Sequence, residues 1–208
     1  MNKSNQINFI DLFSGCGGFS EGLLQTKKYN ALAHVEWDLP MVSVLRNRLH
    51  EKWNMTKEDT LKSVIHFDIQ KTKELLHGKW SESSKRLYAD TNHNTTILEG
   101  LHGVCEGKPI DLIIGGPPCQ AYSIAGRAQD EHSMKYDYRN YLFEAFVKVV
   151  SSFSPKMFIF ENVPGILSAK PGGRLVIERI YDAFNKIGYE ILEPKKFINS
   201  CCLLSDST

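Results

Sequence analysis

Nearly continuous apolar runs alternate with helix-patterned segments along most of this chain, and this alternation limits the possible folds more than any other feature. Apolar runs such as INFIDLF (7–13) and KMFIFENV (156–163) are typical of strands in a parallel sheet that helices cover on both faces. We therefore predict an α/β fold with a Rossmann-like, doubly wound and mostly parallel sheet. The predicted strands are 7–13, 31–37, 64–69, 110–116 and 156–163, the predicted helices are 18–26, 40–50, 140–153 and 173–188, and residues 189–198 are predicted to be extended.

Two polar stretches interrupt this pattern. Residues 71–108, with SESSKRLYADTNHNTT at their centre, have little periodicity and are predicted to form a surface insertion or a mobile loop. Residues 127–139 are predicted to be either a solvated connection or a lid, and their position favours the lid.

The composition indicates one medium-sized α/β domain that carries no strong charge. The chain has 208 residues, of which 42% are hydrophobic and 24% charged, and its formal net charge is +1, whereas nucleic-acid-binding domains are often strongly basic. Its five cysteines form no C-x-x-C pair, and we see no signal peptide, which favours free thiols in a reducing cytoplasm. His93, His102 and Cys105 fit no zinc spacing, so we predict no metal.

Residues that could bind a ligand or take part in catalysis follow the predicted strands at their carboxyl ends. They are Asp11 to Gly18, Glu36-Trp37, Asp68, Cys119 and Glu161-Asn162. Because ligands of open α/β sheets bind beyond the carboxyl ends of the strands, we expect a site at this edge.

The glycine-rich stretch DLFSGCGGFSEG follows a strand and opens a helix. Gly15, Gly17 and Gly18 allow a sharp turn and a close approach to a ligand, and Glu36 comes where an acid binds ribose hydroxyls in nucleotide sites. Ser20 holds the third glycine position of G-x-G-x-x-G, which favours a nucleoside with a cationic or neutral tail over a dinucleotide. A tight turn without a ligand is the alternative.

Two further side chains have a functional and a structural interpretation. Trp37 could offer an aromatic face to adenine or pack in the core. Asp68 could accept a hydrogen bond from the adenine amino group or cap a helix.

The stretch GGPPCQAYS places a cysteine directly after two prolines at the end of a buried strand. Pro117 and Pro118 restrict the backbone before Cys119, which suits a nucleophile that must be held in one orientation. Glu161 ends the following strand, in ENVPG. Alone it could be a buried acid or a helix cap, but together with Cys119 it could act on one small planar substrate.

The segments DLFSGCGGFSEG, EWD, FDI, GGPPCQAYSIAG and ENVPG, in this order, resemble the DNA cytosine-5 methyltransferases. The resemblance extends from about residue 7 to residue 200, and Tyr122 stands where the family usually has phenylalanine. It implies that the Cys119 thiolate adds to carbon 6 of a flipped-out cytosine in double-stranded DNA, while Glu161 hydrogen-bonds ring nitrogen 3. Carbon 5 then takes a methyl group from S-adenosylmethionine.

The resemblance also implies which residues bind the cofactor and the DNA. Residues 123–139 would be the loop that closes over the base, in a bacterial modification methylase of a restriction-modification system, in the cytoplasm and without a membrane role. The implied cofactor residues are Phe13, Gly15, Gly17, Gly18, Glu36, Trp37, Asp68, Ile69, Pro117 and Leu142, and the implied substrate or DNA contacts are Gln120, Ser123, Arg127 and Asn162.

The resemblance stops before the terminal CCLLSDST. The family continues with a Gln-Arg-Arg-like element, a target-recognition domain and a C-terminal helix, so we expect residues 1–208 to be an incomplete cofactor-binding and catalytic domain. A fragment, a split enzyme completed by a second polypeptide and an aberrant end remain as explanations. If residues 189–198 form a strand without its hairpin partner, the truncated sheet edge is expected to favour self-association.

Three other functions are compatible with parts of the sequence. A tRNA cytosine-5 methyltransferase shares the cysteine and glutamate elements, and a non-catalytic cofactor-binding subunit would act only with a partner. A NAD-dependent dehydrogenase is weakened by Ser20 and has no role for Cys119 or Glu161.

Overall fold

The computed structural model describes residues 6–117, 142–170, 173–192, 195–197 and 200–207. The chain divides into two compact units, Met1–Ile113 and Ile114–Thr208.

The first unit alternates strands and helices around a parallel sheet. Strand β2 pairs in parallel with both β1 and β3, so the carboxyl ends of all three strands meet at one sheet edge. Asp111, the residue directly before β4, lies beside β1, because its amide donates to the Asn8 carbonyl at 2.9 Å. The elements are β1 (Ile7–Leu12), α1 (Gly18–Gln25), β2 (Tyr29–Glu36), α2 (Leu39–Trp53), α3 (Lys57–Ser63), β3 (Val64–His66), α4 (Thr72–His77), α5 (Glu82–Tyr88), a 3-10 turn (Ala89–Thr91), α6 (Asn94–Val104) and the start of β4 (Leu112–Gly115).

Apolar spacing explains how α2 packs onto this sheet. Val42, Leu45 and Leu49 recur at helical spacing and form a buried cluster with Val64 of β3. Side chains of this size each stabilise the fold by about 1.5–3 kcal/mol when they are fully buried. The α/β class predicted from the sequence is confirmed.

The prediction of an insertion or mobile loop over 71–108 is wrong. This segment forms α4, α5 and α6, and it buries Leu75, Trp80 and Leu101. The Trp80 ring stacks on Phe67, just beyond β3, with ring centroids 4.4 Å apart. The sequence pattern missed these helices because each is too short to repeat an apolar face several times.

Polar residues in the same segment cap helices and extend the pairing beyond β3. The Ser81 hydroxyl accepts from the Ser84 amide at the start of α5, and His93 does the same for Thr95 at the start of α6. The Asn92 side chain accepts from the His66 amide at 3.0 Å and donates to the His66 carbonyl at 2.8 Å. The polar residues that suggested a loop therefore cap the starts of helices and bind the backbone at the end of β3.

Helices α4 and α6 meet backbone to backbone. Gly100 has φ 66° and bends α6, and a Cβ atom there would lie 2.4 Å from the Gly78 nitrogen and 2.6 Å from the His77 nitrogen. The segment therefore needs glycine at this crossing, both for conformation and for space.

The second unit carries the other strands and a core of aromatic rings. Phe146, Phe158 and Phe184 are all buried, and the rings of Phe158 and Phe184 stack with centroids 4.0 Å apart. Its elements are the end of β4, α7 (Leu142–Phe153), β5 (Met157–Asn162), a 3-10 turn (Pro164–Leu167), α8 (Val176–Asn185), β6 (Tyr189–Ile191), β7 (Lys195–Phe197) and β8 (Ser200–Ser207).

The condition considered for residues 189–198, a strand without its hairpin partner, is not met. Strand β8 pairs antiparallel with β7, and it also pairs antiparallel with β5 and β6. The terminal segment that matched no family element therefore contributes a strand to the sheet. The sequence analysis assigned this segment no structure.

No helix in the described ranges is long and apolar enough to cross a membrane.

The glycine crossing of α4 and α6 predicts unequal effects of two alanine substitutions. Gly107 has the same φ of 66° as Gly100, but a Cβ atom there would meet nothing within 4 Å. We expect Gly107→Ala to cost about 1 kcal/mol of unfolding free energy through left-handed strain alone. Gly100→Ala should cost roughly 2 kcal/mol more because its methyl group would overlap backbone. Urea unfolding measures both, and equal losses would contradict the close crossing.

Candidate active site

The glycine-rich loop after β1 turns through left-handed backbone conformations. Phe13, Gly15 and Gly17 have φ of 58°, 52° and 83°, and the Gly17 amide donates to the Ser14 carbonyl at 2.8 Å. A Cβ atom on Gly17 would lie 2.5 Å from Leu45 Cδ1. Glycine is therefore required at position 17 by conformation and by packing, and Phe13 adopts a conformation that costs a non-glycine residue about 1–2 kcal/mol.

Glu36 joins this loop to the end of β2. Its Oε2 accepts from the Gly15 amide at 2.8 Å, and its Oε1 accepts from the amides of Trp37 and Asp38 at 2.8 and 2.9 Å. Hydrogen bonds to a carboxylate are about twice as strong as neutral ones. The side chain predicted to bind ribose therefore also holds the backbone around the site, a role that the motif alone did not indicate.

Other predicted cofactor residues of the first unit differ in accessibility. Trp37 is 61% exposed, so the alternative of core packing is wrong for it. Asp68 accepts from the Gln70 amide at 2.9 Å and does not cap α4, whose N-cap residue is Lys71. Ile69 is buried at 5% exposure, whereas Gly18 is exposed and has open space where a Cβ would stand.

Asp11 and Ser20 form a buried polar pair that the sequence analysis did not identify. Each is 1% exposed, and the Ser20 hydroxyl donates to Asp11 Oδ2. Burial raises the pKa of Asp11 to about 7, against the hydrogen bonds from Ser20 that lower it. A signal was present, because an aspartate inside the apolar run INFIDLF is a buried charge that needs a partner.

In the second unit, Glu161 lies against the backbone at the end of β4. A Cβ atom on Gly116 would lie 2.7 Å from Glu161 Oε2, so any larger residue at position 116 would displace the carboxyl group from this position. Burial raises the pKa of Glu161, which favours its protonated form. A protonated carboxyl group can donate a hydrogen bond to a substrate atom.

Asn162 holds the backbone that leads to Cys119. Its Nδ2 donates to the Pro117 carbonyl at 3.2 Å, and its Oδ1 accepts from the Val163 amide at 2.9 Å. The residue is 3% exposed. These contacts hold the ends of β4 and β5 together through one side chain, a positioning role that comes beside the predicted substrate contact.

The remaining predicted site residues fall into two groups. Pro117 and Leu142 are both buried, Leu142 as the first residue of α7. Cys119, Gln120, Ser123 and Arg127, together with the lid predicted over 127–139, lie outside the described residues.

The histidines and the cysteine considered for a metal have other surroundings. Where the structure is described, no group of three or more potential ligands comes together. His102 stacks on His77 with ring centroids 5.2 Å apart, and burial raises the pKa of Cys105 to about 12.

The sequence matches the family model for C-5 cytosine-specific DNA methylases over residues 7–109 and 79–197. These ranges include the glycine loop, Glu36 and the ENVPG segment. Most of the chain is thus covered by one family description.

Curated relatives come from bacteria and archaea. The chain is 34% identical over 207 residues to the type II methyltransferase M.Bpa9945I of Bacillus paralicheniformis, covering 88% of this chain and 46% of that protein. It is 37% identical over 194 residues to M.XorII of Xanthomonas oryzae pv. oryzae, covering 92% of this chain and 36% of that protein. The chain spans between about a third and a half of the length of the curated relatives it matches.

Solved structures share the fold. An E. coli prophage protein described as a DNA modification methyltransferase superposes with a TM-score of 0.60 at 25% identity, over 97% of this chain and 47% of that one. The Schizosaccharomyces pombe Dnmt2 methyltransferase gives 0.54 at 15% identity, over 97% of this chain and 50% of that one, a similarity of fold alone. The predicted Rossmann-like sheet is thereby confirmed, and with the family match it follows that this chain belongs to the C-5 cytosine-specific DNA methylase family.

Proposed function

We propose that this chain transfers a methyl group from S-adenosylmethionine to carbon 5 of cytosine in double-stranded DNA. The observation that carries the proposal is the carboxyl group of Glu161, which has a raised pKa and lies against Gly116, three residues before Cys119. A proton donor beside a cysteine-bearing segment suits acid-assisted addition of a thiolate to a heteroaromatic ring.

The residues after β1 and β2 fit an adenosine-type cofactor. Gly18 leaves its surroundings open, Trp37 exposes an aromatic face, and Glu36 presents a carboxylate at the end of β2. A single nucleoside needs this close backbone approach but not the third glycine of a dinucleotide site. Phe13, Gly15, Gly17, Asp68, Ile69, Pro117 and Leu142 complete the set that we propose for the cofactor, which supplies an electrophilic methyl group when it is bound.

The protein side of the reaction is nucleophilic addition followed by elimination. The Cys119 sulfur forms a bond to carbon 6 while Glu161 donates a hydrogen bond to ring nitrogen 3, which stabilises the electron density that develops there. Carbon 5 becomes nucleophilic and would take the methyl group of the sulfonium, whose sulfur would keep the electron pair of the broken bond and leave as a neutral thioether. A base then removes the proton from carbon 5, and the carbon–sulfur bond breaks to regenerate the thiolate.

The proposed substrate is a cytosine that has been rotated out of the duplex. A base inside a duplex cannot be approached by Cys119, so extrusion must precede the addition. We assign substrate or DNA contacts to Gln120, Ser123, Arg127 and Asn162. Because the relatives are type II methyltransferases, we propose a modification methylase that acts on DNA in a bacterial cytoplasm.

The covalent step predicts a trapped complex with duplex DNA that contains 5-fluorocytosine. Fluorine at carbon 5 replaces the proton that must leave, so the Cys119 adduct should persist on denaturing gels when S-adenosylmethionine is present. Cys119→Ala should give no adduct and should lower methyl transfer by on the order of 10³-fold or more. Cys105→Ala, which changes a free cysteine outside the proposed site, is the control.

Wild-type protein that binds the cofactor but gives neither adduct nor methyl transfer would contradict the catalytic proposal. Methyl transfer to tRNA but not to duplex DNA would instead favour the tRNA alternative.

The contact between Gly116 and Glu161 predicts a strong effect of Gly116→Ala. The added methyl group would occupy the space of Glu161 Oε2 and displace the carboxyl group. We expect kcat to fall by about 10²-fold, the usual effect of misplacing a catalytic group by roughly 1 Å. Gly22→Ala, in α1 with nothing within 4 Å of its Cβ position, should leave kcat unchanged, and equal activity of both variants would argue against the role of Glu161.

The hydrogen bonds that Glu36 accepts from three backbone amides predict a loss of cofactor affinity in Glu36→Gln. The glutamine NH2 group would face backbone donors instead of accepting from them. S-adenosylmethionine should bind roughly 10–100-fold more weakly by calorimetry, the equivalent of one or two charge-assisted hydrogen bonds. Glu51→Gln, on the exposed side of α2, is the matched control.

A further inference from the structure

We propose that Asp11 and Ser20 are a positioning pair that holds the glycine loop in its cofactor-binding conformation. This inference rests on the proposed function, because it concerns the same cofactor site. Neither residue is among the side chains assigned to the cofactor.

The pair joins the end of β1 to the first turn of α1. Asp11 is the residue before Leu12, where β1 ends, and Ser20 is the third residue of α1. The residues between them are the glycine loop with its left-handed φ values at Phe13, Gly15 and Gly17. A bond between the two ends of such a loop limits the conformations that the loop can adopt.

The carboxyl group of Asp11 lies close to the N-terminus of α1, which has no side-chain cap of its own. The N-cap residue is Gly17, which has no side chain to accept from the first amides of the helix. The Ser20 hydroxyl donates to the Asp11 carboxyl group, and the Ser20 backbone amide also interacts with it. The third helical residue is the one whose amide an N-cap side chain commonly binds, and a negative charge at this end is favourable.

The hydrogen bond from Ser20 to Asp11 explains why serine stands at the third position of the glycine fingerprint. In dinucleotide sites, a glycine there allows close packing of helix against strand. Serine is the smallest residue that can both fit this position and donate to the strand, so the helix is bonded to β1 instead of only packed on it.

Within the described ranges, the groups that shift the pKa of Asp11 include no cation that would fix its charge. On β2, His34 is its register partner, is fully buried and has its pKa lowered to about 4 by burial, so it is neutral near pH 7. Glu36 on the same strand raises the pKa of Asp11 through charge repulsion. The charged residue of α1, Glu21, is bonded to Lys52 instead. The two donors of Ser20 are therefore the groups that favour the carboxylate form.

Calorimetry with S-adenosylmethionine on wild-type protein and on variants of the pair tests this role. Ser20→Ala removes one donor, and we expect binding to weaken by about tenfold, the equivalent of one charge-assisted hydrogen bond. Asp11→Asn keeps an acceptor oxygen and should stay within about threefold of wild type at pH 6, where the wild-type carboxyl group is mostly neutral. Ser43→Ala is the control, because that hydroxyl bonds only the Leu39 carbonyl of its own helix.

The pH profile separates positioning from a general loss of stability. The ionised carboxyl group is the stronger acceptor, so wild-type affinity should rise from pH 6 to pH 8 as Asp11 loses its proton, and Asp11→Asn should lack this rise. The proposal is overturned if Ser20→Ala binds as tightly as wild type, or if Asp11→Asn keeps the wild-type pH profile.

Hydrogen exchange of the ligand-free protein distinguishes failure of this inference from failure of the proposed function. Ser20→Ala should speed amide exchange at Gly15 and Gly17 by about tenfold relative to Ser43→Ala. Wild-type protein that does not bind S-adenosylmethionine would contradict the proposed function, and unchanged exchange in Ser20→Ala would contradict the positioning pair.

Discussion

The carboxylate of Glu36 is the interaction on which the first unit's site depends. Three backbone amides, those of Gly15, Trp37 and Asp38, converge on one side chain. These contacts bind the loop after β1 to the end of β2, and they require the backbone of the loop to turn its amide inward, which the left-handed φ of Gly15 provides. The proposed cofactor site is thus shaped by backbone amides that one buried carboxylate holds in place.

Glu161 is also a carboxyl group at a strand end, but its surroundings are of the opposite kind. It lies against Gly116, and burial raises its pKa, whereas Glu36 accepts three hydrogen bonds from amides. Two acids with different environments can serve different purposes, one as a fixed acceptor and the other as a proton donor. Asn162 adds a second fixed point by binding the Pro117 carbonyl, so the backbone enters the Cys119 segment from a defined position.

The sequence predicted the class of fold and the glycine-rich turn after the first strand, because long apolar runs and glycine-rich turns are local signals. It failed over 71–108, where short helices meet through Gly78 and Gly100 and where Asn92 binds β3 from 26 residues away. It also failed for β8, whose partners β5 and β6 are set by pairing and not by a local pattern. Motif residues were predicted individually, but the roles of Gly116 and Asn162 depend on contacts over about 45 residues of chain.

Asp11 is a buried acid without a cationic partner among the groups that affect its pKa, and it breaks the rule that buried charges are paired. Natural folds accept such local conflicts mainly at functional sites, where a strained or costly arrangement fixes a geometry that the fold alone would not hold. Here the conflict stands directly before a loop with three left-handed residues. We infer that the unfavourable burial of this carboxyl group is tolerated because its contact with Ser20 holds the two ends of the loop. The left-handed residues of the loop are tolerated in turn because this contact limits the conformations of the loop.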